Sequence, residues 1–201
     1  MALYADNKAH FNLKYATILL ADSGSMDMDI MVSMMMGFGA KTLHKQETIA
    51  GAKNLINKTI LDLVVVGATL GDGDGCDLVR WIRREVAEPN RFVPVLMIVG
   101  HTAISRISKA RDCGASLILA KPLTPMVLIE RIIWVAREGR SFVDCESYAG
   151  PDRRFKFTGP PQGANGRRKD DLSGHVSTVA RAANMSQEQI DAMMAPRKVS
   201  L

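Results

Sequence analysis

Five short apolar runs, separated by stretches of helical pattern, constrain the fold of this chain more than any other feature. Four of them are almost continuously hydrophobic, which is typical of strands buried on both faces of a parallel sheet. The runs are YATILLA at 15–21, KTLHK at 41–45, LDLVVVG at 61–67, VPVLMIV at 93–99 and SLILA at 116–120. The sequence therefore predicts five parallel strands in one sheet.

A helical stretch follows each predicted strand, at 25–36, 47–57, 74–85, 102–113 and 124–138. Gly37 and Gly39 come after the first stretch and Gly114 after the fourth, while Thr124 and Pro125 suit the N-cap and first turn of the fifth. Alternation of this kind predicts a doubly wound α/β domain, with (βα) repeated five times. Any ligand crevice then lies outside the carboxyl ends of the strands.

The composition changes on either side of this domain. We expect an N-terminal arm at 1–14, the α/β domain at 15–145, a basic linker rich in Gly and Pro at 146–184, and an amphipathic helix peptide at 185–201. The predicted tail is flexible and ends in a short helix.

Composition also excludes several classes of protein. No apolar run reaches the ~18 to 20 residues of a membrane-spanning helix, so no membrane insertion is expected. Charges interrupt the N-terminal segment where a secretory signal needs an apolar run, which predicts a cytoplasmic protein. Most of the net charge of +5 lies after residue 150, so no nucleic-acid partner is expected for the domain. The three cysteines lack the paired spacing of a zinc or redox site.

The segments ILLADS, DLVVVGATLGDGDG, VPVLMIV and GASLILAKP resemble, in order and spacing, the receiver domain of two-component response regulators. The resemblance covers about residues 16–140 and implies the flavodoxin-like receiver fold. It also implies an acidic pair after the first strand, a phosphoacceptor aspartate at the end of the third, a Thr or Ser after the fourth, and a Lys before Pro after the fifth. Such a site needs a carboxylate nucleophile, Mg²⁺ held by carboxylates, and a cation on the phosphoryl oxygens.

This chain departs from the family pattern at most of those positions, which together form a degenerate phosphorylation site. The corresponding residues, including that of the switch aromatic, are Asp22, Ser23, Gly67, Val99, Ile118 and Lys121. Gly67 has no side chain to accept a phosphoryl group, and Asp22 is the remaining member of the acidic pair. We therefore expect a pseudo-receiver with no catalytic residues, no cofactor and no metal.

Three charged residues in or near this site have structural interpretations. Lys121 is expected to pair with Asp22 across the strand ends, since no phosphoryl group is available to it. Asp72 and Asp74 are expected to serve as turn and N-cap residues at the start of the third helix.

The C-terminal stretch NMSQEQIDAMM encodes a short capped helix, with Ser186 as N-cap, Gln189 completing a capping box, and Met185 positioned to contact Ile190. It resembles the flagellar motor-switch peptide of the form Leu-Ser-Gln-x-Glu-Ile-Asp-x-Leu-Leu, which docks on a chemotaxis receiver. The corresponding residues are Met185, Ser186, Gln187, Gln189, Ile190, Asp191, Met193 and Met194. A helix that folds back on its own domain is the alternative.

The linker carries clustered cations that are candidates for binding an anion. They are Arg153, Arg154, Lys156, Arg167, Arg168 and Lys169. The stretch RRKDDLSGHV resembles a cyclic-di-GMP signature except that Val176 stands in place of its last glycine. Solvated charge without a ligand is the other interpretation.

The sequence thus predicts a phosphorylation-incompetent receiver-like protein that is not an enzyme and acts by protein binding in two-component or chemotaxis and flagellar motor signalling. Its expected partner is a receiver domain protein or a flagellar switch component. One alternative is a constitutive adaptor that binds a histidine kinase or phosphotransferase, with the tail as an internal lid. A second alternative is a cyclic-di-GMP effector acting through the Arg-rich linker.

Overall fold

The computed structural model describes residues 12–100, 104–137, 140–152, 186–188 and 190. In chain order its strands are β1 (Thr17–Ala21), β2 (Thr42–Gln46), β3 (Leu63–Gly67), β4 (Thr69–Leu70), β5 (Gly73–Asp74), β6 (Val95–Val99), β7 (Leu117–Ala120), β8 (Phe142–Cys145) and β9 (Tyr148–Pro151). Its helices are α1 (Ser25–Gly37), α2 (Ile49–Ile56), α3 (Gly75–Glu85), α4 (Ile104–Asp112) and α5 (Pro125–Arg137).

One parallel sheet organises this part of the chain. Its spatial order is β2-β1-β3-β6-β7, and every neighbouring pair runs parallel. This confirms the predicted doubly wound (βα)5 fold. The five predicted strands differ from the observed ones by no more than about two residues at either end, because continuous apolar runs mark buried strands well.

Alternation along each strand divides the core into two layers. In β1, Leu19 and Ala21 face the layer that α2, α3 and α4 cover, whereas Ile18 and Leu20 face the layer under α1 and α5. The central strands are buried on both faces. Both layers therefore hold the carboxyl ends of the strands rigidly side by side.

Two short hairpins were not predicted. One joins β4 to β5 between the main sheet and α3, and the other joins β8 to β9 after α5. In the second hairpin Tyr148 and Ala149 are buried, and the Tyr148 hydroxyl donates to the carbonyl of Pro151 at 2.8 Å. Since the linker was expected to begin at residue 146, the structure extends the folded domain beyond that boundary.

A buried arginine supports the loops around that second hairpin. Arg83 is 1 % exposed and donates to the carbonyls of Gly114 at 3.0 Å, Arg91 at 2.7 Å and Val93 at 2.8 Å. Burial lowers the pKa of Arg83 to about 10, so the guanidinium stays charged at neutral pH. Charged donors to three carbonyls offset the cost of taking this group out of water.

None of the helices in the described ranges is long and apolar enough to cross a lipid bilayer.

Candidate functional site

The carboxyl ends of β1, β3 and β7 bring Asp22, Gly67 and Lys121 together, as the fold requires. Asp22 is 5 % exposed, and its Oδ1 accepts a hydrogen bond from the Gly24 N–H at 2.8 Å. This is the edge of the sheet where the sequence places the degenerate site.

The side chain of Asp22 lies directly against the Cα of Gly67, where a side chain of residue 67 would begin. A Cβ added to Gly67 would lie 2.3 Å from Oδ2 of Asp22 and 2.8 Å from its Cγ. Both distances are shorter than the contacts that real Cβ atoms make. The carboxylate of Asp22 thus occupies space that a side chain at position 67 would need.

Lys121 lies between two carboxylates. Its Nζ is 2.6 Å from Oδ2 of Asp27 and 3.8 Å from Oδ2 of Asp22. The expected pairing with Asp22 is present, but Asp27 in the first turn of α1 is the nearer partner, and sequence reasoning missed it. A carboxylate in a first helical turn next to the site was the available signal. The lysine compensates the buried charge of Asp22 from one side while Gly24 does so through its N–H.

The other three positions of the predicted site hold no charged group. The Ser23 hydroxyl is turned toward β4 and donates to the carbonyl of Thr69 at 3.2 Å. Val99 is 2 % exposed, and its carbonyl accepts from the Lys121 N–H at 2.9 Å. Ile118, which the sequence predicts to correspond to the switch aromatic, is fully buried.

These residues do not fit the magnesium ion that the receiver pattern implies. Asp22 supplies one carboxylate, already bonded to Gly24 and near Lys121, and position 67 supplies none. Mg²⁺ prefers oxygen ligands in strict octahedral geometry, with carboxylates to balance its charge. Within the described ranges there is also no group of three or more His, Cys, Asp or Glu side chains that could hold a metal ion.

The acidic residues of the loop after β3 are helix caps. Asp74 accepts from the Cys76 N–H at 2.8 Å and pairs with Lys109 at 2.7 Å, so it caps α3 as expected. Asp72 instead accepts from the N–H groups of Ile49 and Ala50, so it caps α2 rather than α3. Those two bonds lower the pKa of Asp72 below its usual value of 3.8.

Part of the C-terminal peptide contacts the domain. The Ser186 carbonyl accepts from the Ile190 N–H at 3.1 Å, which closes a helical turn, and Ile190 is fully buried. The Gln187 side chain bonds to the backbone of β7 at Ala120 and Ile118. The remaining predicted peptide residues lie outside the described residues: Met185, Gln189, Asp191, Met193 and Met194.

The candidate anion-binding cations of the linker also lie outside the described residues, so the cyclic-di-GMP interpretation stays a prediction. These residues are Arg153, Arg154, Lys156, Arg167, Arg168 and Lys169.

Comparison with known proteins identifies the family and the fold of the domain. The family model described as the response regulator receiver domain matches residues 18–133. The swarming motility regulation protein RssB of Serratia marcescens is 33 % identical over 95 residues, which are 47 % of this chain and 41 % of that protein. The match therefore spans less than half the length of that relative.

Solved structures show the same fold. A putative response regulator from Chloroflexus aurantiacus J-10-fl superposes with a TM-score of 0.57 at 22 % identity, covering 61 % of this chain and 98 % of that one. The chemotaxis response regulator CheY4 of Vibrio cholerae gives a TM-score of 0.54 at 18 % identity, covering 60 % of this chain and 98 % of that one. With the family match over residues 18–133, the chain belongs to the response regulator receiver domain family, whose members act in two-component signal transduction.

Proposed function

We propose that this chain is a receiver-like protein that cannot accept a phosphoryl group and acts by binding other proteins in two-component signalling. The observation that carries the proposal is the end of β3. Gly67 offers no carboxylate, and Oδ2 of Asp22 lies 2.3 Å from where its Cβ would be. Because an acyl phosphate forms by attack of a carboxylate oxygen on phosphorus, position 67 has no nucleophile.

The surrounding charges support the same proposal. The ammonium group of Lys121, which would have to contact a phosphoryl group, is already 2.6 Å from Asp27. Val99 contributes only methyl groups at the end of β6. Among the described residues at the strand ends, Lys121 is therefore the one group of the receiver pattern that could contact a phosphoryl group, and it is paired with carboxylates. On this proposal, signalling depends on which surfaces the domain presents.

Incubation of the full chain with radiolabelled acetyl phosphate and Mg²⁺ tests this. We expect no label, while a receiver that retains its phosphoacceptor aspartate is labelled under the same conditions. Label on the wild-type chain would overturn the proposal, and its loss in Asp22→Asn would identify the unexpected acceptor.

For the partner, we propose that the C-terminal peptide offers a motor-switch-like ligand to a receiver. The Ser186 to Ile190 turn seen in the structure has the helical form that such a ligand needs. The relative RssB, a swarming motility regulation protein, adds support for a role in motility. The partner is then a chemotaxis receiver or a component of the flagellar switch.

A synthetic peptide of residues 183–201, titrated into an isotope-labelled chemotaxis receiver with and without a phosphoryl mimic, tests that step. Saturable amide shifts on the receiver's fourth and fifth helices, tighter with the mimic, are expected. The same peptide with Ile190→Ser is the control and should bind more weakly. Absence of shifts with both peptides would overturn the ligand role.

The contact of Gln187 and Ile190 with the domain favours a second candidate, the constitutive adaptor with the tail as an internal lid. In that case a chain truncated after Asp152 binds a histidine kinase or phosphotransferase domain more tightly than the full chain does. Equal binding by the two chains would count against the lid.

A further inference from the structure

The strand β7 lies at one end of the sheet, and within the described residues it pairs with β6 alone as a strand. An edge strand presents backbone N–H and C=O groups on its outer side, and these need partners because unpaired edges recruit foreign strands. The N–H of Ala120 and the C=O of Ile118 are two such groups.

The side-chain amide of Gln187 satisfies both. Its Oε1 accepts from the Ala120 N–H at 2.7 Å, and its Nε2 donates to the Ile118 carbonyl at 3.3 Å. In a parallel sheet, a residue of one strand faces a residue of the neighbouring strand and bonds to the two residues on either side of that one. Its N–H donates to the carbonyl of the preceding residue, and its carbonyl accepts from the N–H of the following residue. Gln187 therefore stands in for one residue of a sixth strand, using an amide that has a donor and an acceptor at matching spacing.

Ile190 adds an apolar contact on the same side of the helical turn. Residues three apart in a helix lie on one face, so Gln187 and Ile190 point toward the domain together. Ile190 is fully buried in the core layer that also contains Ile107 of α4 and Ile118 of β7. Between them, Glu188 is exposed. The turn therefore docks by one polar and one apolar anchor.

We infer that the edge of β7 beside α4 is a docking site for a helical turn of the form Gln-x-x-Ile, and that this chain's own residues 187–190 are its occupant. The inference deepens the proposed function, on whose binding role it rests, by naming the surface and what it recognises. While the tail is docked, neither a strand nor a peptide with the same turn can reach this edge. A partner must displace the tail.

The variant Gln187→Glu removes one anchor with little change of shape. The carboxylate can accept from Ala120 but has no hydrogen to donate to the Ile118 carbonyl, and it places a negative charge next to that oxygen. The helical turn itself is not penalised, because an acidic residue near a helix N-terminus is favourable. The double variant Q187E/E188Q has the composition and net charge of the wild type, and it separates the loss of the anchor from the change in charge.

Amide hydrogen exchange of the full chain, followed by NMR, measures the docking. We expect the Ala120 amide to exchange at least about tenfold faster in Q187E, in Q187E/E188Q and in I190S than in the wild type. The matched variant E188Q should leave the rate unchanged. The amide of Val65 in the central strand β3 is the internal reference, so that general unfolding is not mistaken for undocking. Unchanged exchange at Ala120 in Q187E and I190S would overturn the inference.

Two further measurements identify the occupant. If the rate at Ala120 rises when the wild-type protein is diluted, the docked turn comes from a second copy, and the assignment to the same chain is wrong. The free peptide of residues 183–201 should bind Q187E at least about tenfold more tightly than wild type, because the wild-type tail competes with it. Equal affinities would also overturn the inference. None of these measurements involves phosphorylation or a partner receiver, so failure of the proposed function would leave them unaffected.

Discussion

Gly67 and Asp22 lie in direct contact at the carboxyl ends of β3 and β1. Gly67 has no side chain, and the carboxylate of Asp22 lies in the space that a side chain there would need. The same carboxylate is buried, so it depends on Gly24 and Lys121 for compensation. Restoring a side chain at 67 therefore requires Asp22 to move away from these partners.

We expect Gly67→Ala to lower the free energy of unfolding by about 1–3 kcal/mol, because the added methyl group would displace the buried carboxylate of Asp22. In an Asp22→Ala background the same substitution should cost less, since the carboxylate is gone. Urea denaturation of the four proteins of this cycle measures the coupling. Gly37→Ala is the control, because a Cβ there meets nothing within 4 Å in the part of the chain that the structure describes. Additive effects at 67 and 22 would contradict the steric account.

Asp72 should contribute stability that depends on pH. Its pKa in the folded protein lies below the usual 3.8 because Ile49 and Ala50 donate to it, so its charged form stabilises the folded state. The contribution is present above the unfolded pKa and is lost as the pH falls through the folded pKa. We expect Asp72→Asn to lower Tm at neutral pH, with a difference from wild type that shrinks in acid. A constant difference down to about pH 2 would contradict this cause.

At the scale of elements, the β8–β9 hairpin extends the receiver fold and depends on a close approach to Gly114. Gly114 has a φ of +98°, and a Cβ there would lie 2.4 Å from the carbonyl oxygen of Ala149. The hairpin strands are short, and they show little alternation of apolar and polar residues, although β9 is largely buried and β8 partly exposed. Nothing in the sequence therefore marks them strongly.

We expect Gly114→Ala to cost about 1–3 kcal/mol, because a left-handed backbone conformation is strained for alanine and the methyl group would push the hairpin away. Hydrogen exchange should accelerate within residues 142–151 more than in the central strands. Gly100→Ala, where a Cβ meets no atom of the described residues within 4 Å, is the control. Equal acceleration throughout the domain would show that the hairpin is not the part affected.

At the scale of the whole molecule, the tail joins the domain through a contact between residues far apart in the chain. Truncation after Asp152 removes the buried Ile190 and should lower the free energy of unfolding by about 1–2 kcal/mol. This is the free energy gained by burying one apolar side chain, reduced by the entropic cost of ordering the tail. Ile190→Ser in the full chain should lose a similar amount. A truncated chain as stable as the full one would mean that the docked tail adds nothing to stability.

The sequence by itself determined the order of strands and helices, because buried strands and amphipathic helices each have a characteristic local pattern of apolar and polar residues. Through its resemblance to the receiver family it also predicts which family side chains are missing, since Gly67 has no carboxylate and Val99 no hydroxyl. The caps of α2 and α3 show the limit of such local reading. Asp74 caps the helix that follows it, but Asp72 caps one that precedes it in the chain.

Only the tertiary structure decided which distant groups meet. It brought Asp27 closer to Lys121 than Asp22 is, placed the carboxylate of Asp22 beside Gly67, and seated Gln187 on the edge of β7. Each of these contacts joins residues from separate elements, and its distance depends on how the elements pack. Side-chain chemistry is a property of one position, whereas proximity is a property of the packed core.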